Sequence, residues 1–115
     1  MTKPVGPYTP VVRAGDLLFV SGQVGIAEGA IVDGGVGAEL AQALANLRTQ
    51  VEANGATLDQ VVKTTVFLTD MDHYTVMNEG YCDVFGDHRP ARSAVAVAAL
   101  PLGALIEVEA IVSLR

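Results

Sequence analysis

Two stretches of this chain carry apolar residues at the spacing of one helical face, with a strand-like run between them. Leu40, Leu44, Leu47 and Val51 recur at i, i+4, i+7 and i+11, and Tyr74, Met77, Tyr81 and Phe85 follow a similar rule. From Val61 to Thr69 the period falls to two. Val62, Thr64, Val66 and Leu68 share one face there, and Lys63, Thr65 and Phe67 the other. A helix that is apolar along one stripe must bury that stripe against another element. Two such helices interleaved with strands define an α+β layer architecture, a mixed sheet with both helices on one face.

The remaining elements complete the order ββαβαββ. Leu17 to Ser21 reads as a strand after the Ala14-Gly15-Asp16 turn, with Val11 to Arg13 as its hairpin mate and Gly22 as its end. Gly55 is the natural C-cap of the first helix, Asp70 or Asp72 caps the second, and Gly86 and Pro90 stop it. Two final strands flank the turn from Leu100 to Ala104. Residues 1–10, with three prolines, form an irregular arm.

At 115 residues and 12.0 kDa the chain is read as one domain, residues 1–115, and half of it is apolar. A domain this small buries only about two-thirds of its unfolded surface, so apolar surface is left for oligomer contacts. Seven Lys plus Arg against thirteen Asp plus Glu give a net charge of −6. That field repels phosphate backbones and anionic membranes, which argues against nucleic acid as a partner; a small anion held by one local arginine remains open. Cys82 stands alone, so no intrachain disulfide or cysteine metal cluster can form. The longest apolar run, 94–106, is broken by Pro101 and Gly103 and falls short of the ~20 residues that span a bilayer. With no basic, apolar leader at the N-terminus, a cytoplasmic protein is the expectation.

Arg92 is the one charged residue between Ala91 and Ile106. Alternation places it on one strand face with Ala94, Ala96 and Ala98, small side chains that leave room beside a guanidinium for a carboxylate ligand. A structural Arg-Glu bridge or a solvent-facing arginine would satisfy the same pattern. Glu107 and Glu109 share a face of the last, otherwise apolar strand, a poor place for carboxylates without a task or a partner. If the last two strands form a simple hairpin about Leu102, Arg92 falls opposite residues 111 or 112 and roughly 15 Å from Glu107 along the strand. A bulge, a bridging ligand or a subunit boundary would be needed to unite them.

Ser21-Gly22-Gln23 closes a strand with a hydroxyl and an accessible backbone N–H, both suited to a carboxylate or to an ordinary strand end. No Gly-x-Ser-x-Gly elbow surrounds Ser21, and Gly34, Gly35 and Gly37 fit neither a phosphate loop nor a dinucleotide fingerprint. His73 and His88 lie near Asp70, Asp72 and Asp87 without the spacing of a metal site, and read as solvated helix ends. Cys82, at the edge of the second helical stripe, reads as a small packing residue.

Gly6-Pro7-Tyr8, the block from Ala14 to Gln23, the block from Val61 to Met71, Asn78-Glu79, Pro90-Ala91-Arg92-Ser93 and the block from Ile106 to Ile111 together resemble the Rid family, also called YjgF-type proteins. The resemblance runs nearly end to end. It implies a chorismate-mutase-like fold and a homotrimer whose sheets surround a central barrel, with three clefts between subunits. It also implies hydrolysis of 2-imino and enamine acids released by pyridoxal-phosphate enzymes, giving a 2-keto acid and ammonia without metal or organic cofactor. Carried over by motif, Arg92 clamps the substrate carboxylate with help from Ser21 and the Gly22 backbone, and Glu107 positions or activates water. Tyr8 and Asn78 line the cleft. The best-known branch often has cysteine two residues after the arginine, where this chain has Ala94, a departure that bears on substrate range. Two other functions fit the resemblance: a noncatalytic module that binds 2-keto acids, and an RNA-directed endoribonuclease or translation inhibitor. The charge of −6 and the lack of a basic, aromatic strip argue against the latter.

Overall fold

The computed structural model describes residues 6–115; the first half of the proline-rich arm lies outside the described residues. The chain runs β1 (Val11–Ala14), β2 (Leu17–Val24), β3 (Ile26–Ala27), β4 (Ala30–Ile31), α1 (Val36–Ala53), β5 (Val61–Leu68), α2 (Tyr74–Phe85), β6 (Ala91–Ala96) and β7 (Ile106–Ser113). Five strands form one sheet in the order β1-β2-β7-β5-β6. β5 and β6 are parallel and every other pair is antiparallel, so the sheet is mixed, as the α+β expectation required. The β3–β4 hairpin was not anticipated, because two-residue strands carry no readable period.

The first helical stripe is the centre of the core. Leu40, Leu44, Leu47 and Val51 are completely buried and pack with Leu18, Val20, Val66, Leu68, Ile106, Val108 and Val112 of the sheet. Burying each such side chain is worth about 1.5–3 kcal/mol. Helix α1 ends in a Schellman arrangement: Ala56 N–H donates to Val51 O and Gly55 N–H to Glu52 O, each at 3.1 Å. Gly55 makes that turn at φ 81°, one residue beyond Asn54. Met77, Tyr81 and Phe85 bury the second stripe, but Tyr74 at its head is exposed and turns toward Arg92. Asp70 caps the short 3-10 turn ahead of α2 by accepting from Asp72 N–H at 2.8 Å.

Three local readings are corrected. β2 does not end at Gly22; it continues to Val24 across a bulge between Val20 and Gln23. A second bulge, between Val61 and Lys63, puts Val61 in the core and leaves Val62 exposed, reversing the alternation expected at the start of β5. The last two strands are not a hairpin. β6 pairs with one side of β5 and β7 with the other, and the segment between them steps over the end of β5. There Val97 N–H donates to Leu68 O at 2.7 Å, and Thr69 N–H donates to Leu105 O at 3.1 Å. Among the described residues no helix is long and apolar enough to cross a membrane.

Candidate functional site

The β5–β6 register sets Arg92 level with Thr64 on the face covered by helices. Its Nη2 donates to the Tyr74 hydroxyl at 3.1 Å and its Nη1 approaches Met77 Sδ at 3.5 Å. The guanidinium carbon lies 4.9 Å from the Tyr81 ring centre and 5.6 Å from that of Tyr74, within cation–π range of both. Beneath it the Tyr81 hydroxyl shares a 2.8 Å hydrogen bond with buried Thr64. Burial pushes the Tyr81 phenol above its ordinary range, against the pull of the Thr64 hydrogen bond and the Arg92 charge. The ion pair found among the described residues joins Arg115 to Asp16, both exposed, so the Arg-Glu bridge considered for Arg92 does not form among those residues.

Beside this arginine is a hollow of about 270 Å³ lined by Asn78, Tyr81, Cys82, Arg89, Pro90 and Arg92. Asn78 lines the hollow, and its Oδ1 is buried without a hydrogen-bond partner among the described residues. Cys82 is exposed rather than packed. It sits on the side of α2 that turns away from the stripe and toward the hollow.

A second hollow, of about 250 Å³, is lined by Tyr8, Ser21, Gly22, Val24, Pro101 and Glu107. The bulge in β2 builds it. Ser21 N–H donates to Pro10 O at 2.9 Å and its hydroxyl donates to Thr9 O at 2.7 Å, which fastens the arm carrying Tyr8 against β2. The single hydroxyl proton of Ser21 is thereby engaged with the arm. Gly22 faces the Glu107 carboxyl so closely that a Cβ on it would lie 2.7 Å from Glu107 Cδ. Burial raises the Glu107 carboxyl above the usual carboxylate range, and the neighbouring charge of Glu109 adds to the shift. A carboxyl so placed can hold or release a proton nearer neutrality than a solvated one.

The six expected residues therefore fall into two separate hollows, Asn78 with Arg92, and Tyr8, Ser21 and Gly22 with Glu107. Glu107 pairs with Phe67, one step out of phase with buried Val66, so it lies on the sheet face away from the helices. Arg92 is on the helical face. The hairpin distance of ~15 Å is superseded by a separation through the sheet itself, and no bulge within one chain reunites the two groups. Sequence reasoning missed Thr64, Tyr74, Tyr81 and Arg89. The tyrosines were absorbed into the helical stripe, although a phenol at a stripe's edge carries a polar handle that asks for a partner. His88 is not merely solvated: its Nε2 is 2.7 Å from Val61 O. Among the described residues no three His, Cys, Asp or Glu side chains converge to hold a metal ion.

Together these features define an α+β protein with a mixed sheet, two covering helices and a polar hollow on each face. The sequence pattern described as Endoribonuclease L-PSP matches residues 1–114. A RutC family protein of Pyrococcus horikoshii is 45% identical over 111 residues, covering 95% of this chain and 88% of its own. The Mus musculus protein named 2-iminobutanoate/2-iminopropanoate deaminase is 45% identical over 109 residues, covering 93% and 81%. The crystal structure of E. coli TdcF with bound serine matches with a TM-score of 0.90 at 35% identity, covering 96% of this chain and 90% of that one. The chain belongs to the Endoribonuclease L-PSP family, which comprises the YjgF, RutC and Rid-type proteins.

Proposed function

We propose that this chain is a hydrolytic deaminase of small 2-imino and enamine acids, of the 2-aminoacrylate and 2-iminobutyrate class. The observation that carries this is Arg92, oriented by Tyr74 and Tyr81 beside a hollow and without a carboxylate partner among the described residues. A guanidinium in that state keeps its fork for a ligand carboxylate. The mouse relative's name points to the same chemistry, and serine bound to TdcF is a molecule of the same size and charge pattern.

In this proposal Arg92 and Asn78 of one subunit face Glu107, Tyr8, Ser21 and Gly22 of another across the clefts of a cytoplasmic homotrimer. The opposite-face placement of the two half-sites favours assembly from two subunits over closure within one. Arg92 fixes the carboxylate. Water adds to the C=N carbon while Glu107 takes its proton and returns it to nitrogen, giving a carbinolamine. Glu107 then relays the hydroxyl proton to the same nitrogen. The C–N bond breaks, ammonia leaves with the bonding pair, the C=O bond forms and the carboxylate is restored. Imines hydrolyse in water unaided, so orientation and proton transfer suffice and the reaction asks for no metal or organic cofactor. Substrate would come from pyridoxal-phosphate enzymes that release such imines.

The test couples an amino-acid oxidase or threonine dehydratase to the protein and follows loss of the imine. Acceleration that falls about 10²-fold or more in Arg92→Ala is expected. Keto-acid binding without acceleration would instead make the chain a ligand-binding module. A nucleic-acid role finds no support in a chain of net charge −6.

A further inference from the structure

Arg89 has no part in the chemistry above, yet it lines the same hollow as Arg92. Its Nη1 donates to the Gly86 carbonyl at the end of α2, which orients the guanidinium and leaves Nε and Nη2 without protein acceptors among the described residues. Neither arginine has a carboxylate within ion-pair distance among those residues. Both charges reach Tyr81 on the cavity wall and favour its phenolate form. Two guanidinia lining one hollow attract a dianion more strongly than a monoanion, because each negative charge can then meet its own cation.

We propose that this hollow is a two-cation site that selects dicarboxylic ligands: Arg92 holds the carboxylate beside the C=N carbon and Arg89 holds a second carboxylate at the end of the side chain. The preferred substrates are then the imines of the acidic amino acids, and the preferred product analogues are dicarboxylic 2-keto acids. Ala94, packed at the edge of the core beneath this strand face, adds no bulk that would close the hollow. The turnover part of this inference rests on the deaminase function proposed above, and the binding part stands without it.

Two measurements separate those parts. Calorimetry with 2-ketoglutarate and 2-ketobutyrate on the intact protein is expected to show the dicarboxylate bound about tenfold more tightly at low salt, a preference that Arg89→Gln abolishes. Oxidase-generated imines of glutamate and alanine are expected to differ in kcat/KM in the same direction, with the ratio falling about tenfold in Arg89→Gln. Equal affinity for the two keto acids, or a preference that survives Arg89→Gln, would overturn the two-cation site. Loss of acceleration for both imines with the binding preference intact would overturn the deaminase function and leave the site standing.

Discussion

Arg92 donates to the Tyr74 hydroxyl and lies over Tyr81, so its charge is oriented without being neutralised. Arg92→Lys keeps the charge but replaces a planar fork by a rotating ammonium, and is expected to lower kcat/KM about tenfold or more in the imine assay. Glu107 is raised first by burial and then by Glu109. A base works deprotonated, so the acid limb of kcat/KM should lie above the ordinary Glu value of ~4.3. Glu109→Gln removes the second cause and should move that limb to lower pH. The same shift has a stability sign. Folding favours protonated Glu107, so its contribution is fully present below the unfolded pKa and is lost as pH rises through the folded one. Glu107→Gln cannot ionise; thermal melts should find it more stable than the parent at neutral pH, with the gap closing in acid, while its imine hydrolysis falls about 10²–10⁴-fold.

The hollow beside Glu107 depends on an element that is irregular for a reason. The bulge in β2 lifts Ser21 and Gly22 out of the ladder, and the absence of a side chain at Gly22 lets the Glu107 carboxyl sit against it. Gly22→Ala would force that carboxyl aside. Because Glu107 is only half-buried the fold can absorb the move, so the expected signature is a drop in kcat of about tenfold or more with a change in stability near 1 kcal/mol. On the helical face Thr64 ties β5 to α2 through Tyr81. Thr64→Val strands a buried phenol, which costs about 1–3 kcal/mol and frees the ring beneath Arg92. A denaturant melt measures the first effect, and a raised KM reports the second.

At the scale of the molecule the sheet has two very different faces. One is covered by α1 and α2; the other carries a row of exposed Val12 and Phe19 with half-buried Ile111 across three strands, and exposed Val95 further along the sheet. Such a face fits the proposed trimer barrel, and Phe19→Asp, which places a charge in that row, should shift the protein toward monomer in sedimentation and abolish turnover together. Mixing inactive subunits tests the composite cleft more directly. If Arg92 and Glu107 act across a boundary, random trimers from equal amounts of Arg92→Ala and Glu107→Gln subunits contain intact clefts, and activity should return to about one quarter of the parent's. No recovery after dissociation and reassembly would mean that both residues serve one subunit's own site.

The helical stripes, the period-two run of β5 and the N-terminal hairpin were legible because each is a local pattern: side-chain spacing follows backbone period, and burial follows side chain. The same locality exposed Arg92 and Glu107, charges standing in apolar runs where a reason is required. Strand neighbours are not local. Adjacent strands in sequence default to a hairpin, and only the folded sheet revealed that β6 and β7 flank β5 instead, because the segment between them crosses the end of that strand. The bulges in β2 and β5 likewise answer to their partners' register, so they left no mark in the alternation of either run. From the residues alone came the candidate groups and the main elements that carry them; which face of the sheet each group occupies was decided by long-range pairing, because a one-residue change of register sends a side chain to the other side.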